Sequence, residues 1–271
     1  MSGLPINSIS RRGWGTVLVL LTGLVPFVSW AETTGKAVPW QMTFQPPASP
    51  VMYQLKEFHD LVFFIICGIG IVVVIFVLFV VLRFREKVSK VPSKRTHNTT
   101  LEIIWTLIPL LILLVIAYPS FRLLYYMDSH PEADMTVKAV GHQWYWSYEY
   151  PDHGNFMFDS YIVPDNELKP GQPRLLAVDN AMYVPVGKNI RILTTSDDVI
   201  HSWAVPALGV KKDSVPGRMN ETWFNADQPG IYYGQCSELC GPNHGFMPIE
   251  VHAVPEAEFN KWVEDARKKY A

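Results

Sequence analysis

The chain has 271 residues, of which 49% are hydrophobic and 18% are charged, and its formal net charge is −2 at pH 7. That length accommodates one ordinary domain together with membrane segments. A mean hydropathy of only +0.10 argues against a wholly intramembrane protein and predicts that the apolar residues are concentrated in a few blocks.

Residues 1–31 have the features of a secretory signal peptide. Arg11 and Arg12 supply positive charge near its start, and residues 17–28 form an apolar stretch that is too short to span a bilayer. Small residues precede the expected cleavage point after Ala31. A retained first membrane anchor is the alternative. Cleavage would leave the new N-terminus outside the cytoplasm.

Two apolar runs follow a proline-containing periplasmic segment, residues 32–60. Residues 61–82 contain no charge and are long enough for a transmembrane helix, and we predict a second one over 103–126. The loop between them, 83–102, should stay cytoplasmic because it is basic. Its basic residues are Arg83, Arg85, Lys87, Lys90, Lys94 and Arg95. Both chain ends are therefore expected on the outer side.

From residue 127 onward, the pattern changes to short apolar runs separated by Pro, Gly, Asn and Asp. The runs that we assign as strands are 136–140, 143–150, 174–178, 189–194, 222–224, 231–234 and 247–254. Several short strands at this spacing are typical of an antiparallel sandwich or barrel. We therefore predict an all-β domain over 127–255, followed by a C-terminal helix over 256–271.

The stretch from Gly234 to Met247 contains the residues that indicate chemistry. Cys236, Cys240, His244 and the methionine lie within twelve positions, among glycines and a proline that predict a loop. Sulfur and imidazole ligands select copper or zinc, and a thioether favours copper. A single-copper site of the blue type uses one cysteine. Two cysteines could hold a second ion through bridging thiolates.

His201 is the candidate for a second imidazole, at the end of a strand-like run. A cupredoxin-type sandwich takes its first histidine from an upstream strand and its other ligands from one late loop, and this sequence has that layout. Three alternatives remain open on the residues alone. Cys236 and Cys240 could form a disulfide, His201 could be an ordinary loop histidine, and Met247 could belong to the core.

Four motifs together resemble the cytochrome c oxidase subunit II family. They are the late loop Gly234–Pro248, the aromatic segment Gly141–Tyr150, and the shorter motifs His201–Pro206 and Val215–Arg218. The resemblance extends from about residue 45 to about residue 262, and no metal-ligand position departs from the family pattern. The N-terminal signal differs from mitochondrial relatives and points to a bacterial cell.

The resemblance implies a mixed-valence dinuclear copper centre, called CuA. Its cysteines would bridge both ions. The upstream histidine and the methionine would complete one ion, and the second histidine with a backbone carbonyl would complete the other. These ligands are Cys236, Cys240, His201, Met247, His244 and the carbonyl of Glu238. The Glu238 side chain would reach a magnesium ion shared with subunit I.

The resemblance assigns roles to two further residues. Trp144 matches the electron-entry residue, an exposed indole near the copper, and the alternative for it is core packing. Glu102 lies at the cytoplasmic end of the second span and matches the acid at the entrance of the K proton pathway. Its alternative is a solvated residue at a helix N-terminus, where a carboxylate suits the helix dipole.

Residues 127–271 carry an acidic balance that the charge of the whole chain conceals. They contain 12 Lys and Arg against 20 Asp and Glu. Most such charges are only solvated, yet five match the family's docking acids, namely Glu149, Asp159, Asp179, Asp197 and Asp198. A basic cytochrome c would be steered towards such a patch, with Trp144 at its centre.

The resemblance thus implies subunit II of a cytochrome c oxidase in a bacterial inner membrane, with a cupredoxin-like CuA domain in the periplasm. It would pass electrons from cytochrome c to haem-containing subunit I, where oxygen is reduced to water and protons are pumped. Subunits I and III, cytochrome c and the lipid bilayer are the expected partners, and nucleic acid is not one.

The main alternative, a membrane-anchored copper-binding or assembly protein, leaves the aromatic segment and Glu102 unexplained. A quinol oxidase subunit II would lack the copper ligands, and nitrous oxide reductase lacks membrane spans.

Overall fold

The computed structural model describes residues 35–88, 91, 93–129 and 131–270. The predicted signal peptide, residues 1–31, lies outside the described residues. Two long helices come first, α1 over Pro50–Arg83 and α2 over Thr99–Asp128. Both helices are longer than the predicted spans of 61–82 and 103–126.

The extra length of the helices has a local cause in their capping residues. Ser49 caps α1, because its hydroxyl accepts a hydrogen bond from Met52 N at 3.0 Å. Asn98 caps α2, and Glu102 Oε1 in turn accepts from Asn98 N at 3.2 Å. Both caps precede the apolar runs, so each helix begins before its uncharged part. Both helices are long and apolar enough to cross a membrane.

The rest of the described chain is dominated by ten strands and one helix. The strands are β1 (Met135–His142), β2 (Tyr145–Tyr150), β3 (Phe156–Ser160), β4 (Met182–Pro185), β5 (Ile190–Ser196), β6 (His201–Val205), β7 (Val210–Ser214), β8 (Asn220–Phe224), β9 (Gly230–Gln235) and β10 (Pro248–Val254). One sheet has the order β3-β2-β1-β5-β8, a second has β4-β10-β9, and β6 pairs with β7. The predicted all-β, cupredoxin-like sandwich with an N-terminal two-helix hairpin is confirmed.

Two details of the strand prediction are wrong. The sandwich is not purely antiparallel, because β1 pairs with β5 and β4 pairs with β10 in parallel. The predicted strand 174–178 is instead a turn, apart from a single bridge between Val178 and Ile162. Pro173 O accepts hydrogen bonds from two following amides, and Leu175 has a φ of +65°. That local turn excludes an extended strand.

The core lies between the sheets and is rich in aromatic side chains. Trp146, Trp203 and Tyr148 are fully buried there. The C-terminal helix α3, Glu256–Tyr270, covers one side of the sandwich and buries Phe259, Val263 and Ala266. This packing leaves the loops at the strand ends free to carry a site on a rigid scaffold.

Candidate metal centre

The late loop that carries most of the predicted ligands is closed at its base by two paired strands. β9 ends at Gln235 and β10 begins at Pro248, and these two residues are direct partners in the antiparallel ladder. Between them the loop turns through a 3₁₀ helix at His244–Phe246. Because both ends are fixed by the sheet, the side chains of the loop hold defined positions.

His201 reaches this loop from the first residue of β6, and not from the end of a preceding strand as the sequence suggested. Its imidazole is fully buried. Gly141 on β1 provides the space, since a Cβ there would lie 2.8 Å from His201 Cδ2. Ser237 N donates to Ser202 O at 3.0 Å and joins the loop to β6 beside the histidine.

Five side chains of the kind that bind soft metals form one cluster. The Sγ atoms of Cys236 and Cys240 are 3.9 Å apart. His201 Nδ1 lies 3.8 Å from Cys236 Sγ. His244 Nδ1 lies 3.5 Å from Cys240 Sγ, and Met247 Sδ lies 3.6 Å from the same sulfur. The two imidazoles therefore approach different sulfurs of the thiol pair.

Of the three alternatives considered for these residues, the disulfide does not fit this arrangement, whereas Met247 does belong to the buried core. All cysteines lie in the described part of the chain and are free thiols, and 3.9 Å is far longer than the ~2.05 Å of a disulfide bond. His201 is within contact of Cys236 Sγ, so it is not an unrelated loop residue. Met247 is buried, but its sulfur faces a thiol.

The donor set fits copper better than a single zinc ion. The backbone carbonyl of Glu238 also faces the cluster, 3.4 Å from Cys236 Sγ, whereas the Glu238 side chain is exposed. Structural zinc sites are almost always four-coordinate and rarely use a thioether. Here two thiols, two imidazoles, one thioether and one carbonyl converge. Six donors, of which three are sulfur atoms and two are imidazoles, suit more than one copper ion.

The pKa values of the two thiols also indicate that deprotonating both of them requires a positive charge nearby. Burial raises the pKa of Cys236, but hydrogen bonds with His201, with the backbone of Glu238 and Ser202, and with His244 together outweigh it and lower the pKa to about 7. Burial and the neighbouring Cys236 thiolate raise the pKa of Cys240 to about 12. A second thiolate is therefore unfavourable unless a cation lies between the sulfurs, as a bound metal ion would.

Trp144 is half-buried beside the cluster and is less exposed than the sequence suggested. Its Nε1 donates to Cys240 O at 3.2 Å. Gln143 Nε2 donates to the same carbonyl at 2.9 Å. Sequence reasoning did not identify Gln143 as a site residue, and its position next to Trp144 is the only signal that could have found it. A Cβ at Gly241 would lie 3.0 Å from the indole, so this glycine leaves room for the ring.

Two of the five predicted docking acids lie on strands, Glu149 on β2 and Asp159 on β3, and the other three lie in loops. The five acids differ in their contacts. Glu149 pairs with Lys138 at 2.9 Å. Asp159 accepts from Ser147 Oγ at 2.6 Å. The remaining contacts are Asp179 with Tyr161 N at 2.7 Å, Asp197 with His142 Nδ1 at 3.6 Å, and Asp198 with His201 Nε2 at 2.8 Å. Asp198 is thus joined to a predicted ligand.

Glu102 does not belong to this cluster. It lies in the first turn of α2, whereas the last turn of that helix leads into the sandwich. At 1.5 Å per residue, Glu102 is roughly 40 Å along the helix from Asp128. The structure therefore separates the predicted proton-entry residue from the predicted metal ligands by the length of a membrane span.

Two family descriptions match almost the whole described chain. Residues 37–123 match "Cytochrome C oxidase subunit II, transmembrane domain" and residues 135–254 match "Cytochrome C oxidase subunit II, periplasmic domain". The first match contains α1 and most of α2, and the second runs from β1 to β10.

Curated relatives and a solved structure with similar sequences belong to the same family. The chain is 51% identical over 251 residues to the probable cytochrome c oxidase subunit 2 of Rickettsia bellii, covering 93% of each chain. It is 51% identical to the counterpart in Rickettsia conorii, covering 98% of this chain and 84% of that protein. The crystal structure of the periplasmic domain of subunit II of cytochrome oxidase from Bradyrhizobium japonicum is 58% identical, with a TM-score of 0.50. The matched region covers 53% of this chain and 100% of the chain in that crystal structure.

Proposed function

This chain belongs to the cytochrome c oxidase subunit II family, and from that membership we propose that it binds a dinuclear CuA centre and relays electrons from cytochrome c to subunit I. It is a membrane-anchored subunit of a cytochrome c oxidase and associates with other subunits of a haem–copper oxidase complex. The observation that carries the proposal is the convergence of two thiols, two imidazoles, one thioether and one backbone carbonyl at one site.

We assign each donor to a place in the centre. Cys236 and Cys240 would hold both ions. His201 with Met247 would serve one ion, and His244 with the carbonyl of Glu238 would serve the other. The two imidazoles approach different sulfurs, which supports their placement on different ions, and the assignment of Met247 and of the Glu238 carbonyl follows from family membership. When bound, the copper pair supplies one-electron redox chemistry, with the electron shared over both metals.

The residues of the chain contribute rigidity and an entry point. The loop is fixed at both ends by β9 and β10, and Cys236, Cys240 and Met247 are buried, so its ligands have little freedom to move when the charge of the site changes. Trp144 is the entry residue, because its indole is part-exposed and contacts the backbone of a bridging cysteine. The docking acids Glu149, Asp159, Asp179, Asp197 and Asp198 steer a basic cytochrome c towards it.

The remaining assignments concern topology and protons. We propose that a signal peptide, residues 1–31, is removed and that the copper domain, residues 127–255, lies in the periplasm of a bacterial cell. The exposed Glu238 side chain then reaches a magnesium ion shared with subunit I. Glu102, at the cytoplasmic end of α2, admits protons to subunit I. The separation of Glu102 from the donor cluster supports different roles on the two sides of the membrane.

An electron paramagnetic resonance spectrum of the copper-loaded protein in detergent tests the proposal. One electron shared by two copper nuclei gives a seven-line pattern, and that pattern is expected from the half-reduced centre. A four-line pattern from a single copper nucleus, at full copper loading, would exclude the dinuclear assignment.

A further inference from the structure

The chain is attached to the sandwich through the backbone of Ala48, two residues before α1 begins. Ala48 N donates to Ala207 O at 2.9 Å, and Asp227 N donates to Ala48 O at 3.1 Å. Val51 and Met52, in the first turn of the helix, are buried against the domain. The helix therefore enters the membrane from a fixed point on the sandwich and not from a free linker.

A single hydroxyl group connects the helix and the domain at this point. Ser49 is fully buried, and its Oγ accepts from Met52 N at 3.0 Å as the helix cap. The same Oγ donates to Leu208 O at 2.7 Å. Because the donor and acceptor functions of one hydroxyl are both used, the start of the helix and the turn Pro206–Leu208 are held together.

Gly209 allows the helix to approach this closely. It has a φ of +70°, and a Cβ there would lie 2.9 Å from Met52 N and 3.0 Å from Met52 Cα. The atoms in the way are backbone, which cannot rotate aside as a flexible side chain could. Any larger residue at this position must displace the first turn of α1.

The anchor point is connected directly to the candidate metal centre. β6 begins at His201 and ends at Val205, and all five of its residues are buried. The 3₁₀ turn Pro206–Leu208 follows at once and makes the contacts with Ala48 and Ser49. The strand that carries the first proposed copper ligand thus ends on the start of α1.

We propose that Ser49 and Gly209 are positioning residues that fix the copper domain on α1 and thereby set the distance between the copper centre and its electron acceptor in subunit I. The inference rests on the proposed function. Electron tunnelling slows steeply with distance, so a displaced anchor slows the departure of the electron from copper. The copper ligands themselves are not altered.

The test compares Gly209→Ala with Gly187→Ala in the assembled oxidase. Gly187 has a φ of +75°, and among the described residues no atom lies within 4 Å of a Cβ placed there. Both variants therefore carry the same backbone strain, and only Gly209→Ala displaces α1. Ser49→Ala, which removes the shared hydroxyl and adds no volume, is the second test variant if Gly209→Ala does not assemble.

Three measurements decide the outcome. After flash reduction of the copper, transfer to haem should be several-fold slower in Gly209→Ala or Ser49→Ala than in Gly187→Ala, because tunnelling slows steeply as the distance between copper and haem increases. With the metal removed, the amides of Met52 and Tyr53 should exchange hydrogen on the order of tenfold faster in the same variants. The seven-line copper signal should be unchanged.

Equal rates of electron transfer from copper to haem in the test and control variants would overturn the inference. An altered copper signal in the test variants would also overturn it. The proposed function fails separately, if the unmodified protein lacks the seven-line signal.

Discussion

Asp198 Oδ1 lies 2.8 Å from His201 Nε2, on the nitrogen opposite the one that faces the thiol cluster. The second oxygen of the same carboxylate, Oδ2, accepts from Gln143 N at 2.6 Å, one residue before Trp144. One side chain therefore joins a proposed copper ligand to the proposed electron-entry segment. A carboxylate in this place fixes the orientation of a ligating imidazole and raises its basicity.

These contacts predict that Asp198→Asn affects the copper centre as well as docking. Loss of an outer carboxylate partner of this kind typically weakens metal affinity by about 10–100-fold. Asp197→Asn is the matched control, because it removes the same charge from the adjacent residue. The side chain of Asp197 is 69% exposed. Copper titration and the resonance spectrum distinguish the two. Equal copper affinities and identical spectra for both variants would count against the bridging role of Asp198.

Cys236→Ser should abolish the dinuclear signal while the sandwich stays folded. The substitution removes one proposed bridge, and serine is close to cysteine in size, so no large cavity is created. Cys67→Ser is the control, since that thiol lies on α1 and is exposed there. Resonance spectra report the copper centre, and thermal unfolding monitored by circular dichroism reports the fold. A seven-line spectrum from Cys236→Ser would rule out the bridging assignment.

Met247→Leu should keep copper bound but change its reduction potential and slow electron transfer. A weak thioether ligand tunes a copper site more than it holds the metal. Leucine conserves the volume of this buried side chain, so the loop should keep its shape. Copper content by elemental analysis and the potential by redox titration give the two readouts. Complete loss of copper would show that the thioether is needed for binding.

The sequence was sufficient to select the side chains that the structure brings into one cluster, because their residue types and spacing constrain the chemistry. Cys236, Cys240, His244 and Met247 fall within one loop, and a cupredoxin layout requires one upstream histidine. The two long apolar helices followed from the length and hydrophobicity of two runs in the sequence. In each case the relevant information is local in the chain or belongs to a specific motif.

Contacts between distant segments were not predictable in the same way. The pairing of β1 with β5 in parallel depends on two segments about fifty residues apart. The role of Gly209 depends on Met52, which is far earlier in the chain. Asp198 looked like one more surface acid until its distance from Gln143 and His201 was known. Such roles arise from tertiary packing, which no local pattern encodes.

Glu102→Gln should slow oxidase turnover while cytochrome c still reduces the copper at the normal rate. The proposed role needs an ionisable group, which glutamine lacks. Glutamine can still accept the hydrogen bond from Asn98 N, so the start of α2 should be preserved. Asn98→Ala is the complementary control, as it weakens the cap but keeps the carboxylate. Stopped-flow reduction of the copper and steady-state oxygen uptake measure the two steps. Slower copper reduction in Glu102→Gln would contradict a role on the proton side.

The docking acids and Trp144 should have separable effects on electron entry. Asp179 accepts hydrogen bonds from two backbone amides through one oxygen, and asparagine can retain that contact while removing the charge. Asp179→Asn should therefore weaken binding of a basic cytochrome c and flatten the salt dependence, with transfer inside the bound complex nearly unchanged. Stopped-flow reduction across a range of ionic strengths measures both quantities.

Trp144→Gln should do the reverse, sparing affinity but slowing electron entry by orders of magnitude. Glutamine can replace the hydrogen bond that the indole donates to Cys240 O, so the loop should keep its anchor while the aromatic contact is lost. The same stopped-flow series separates this effect from docking, because the association rate depends on salt and the transfer step inside the complex does not. An association rate of the unmodified protein that is independent of salt would reject the acidic docking surface, whatever the state of the copper centre.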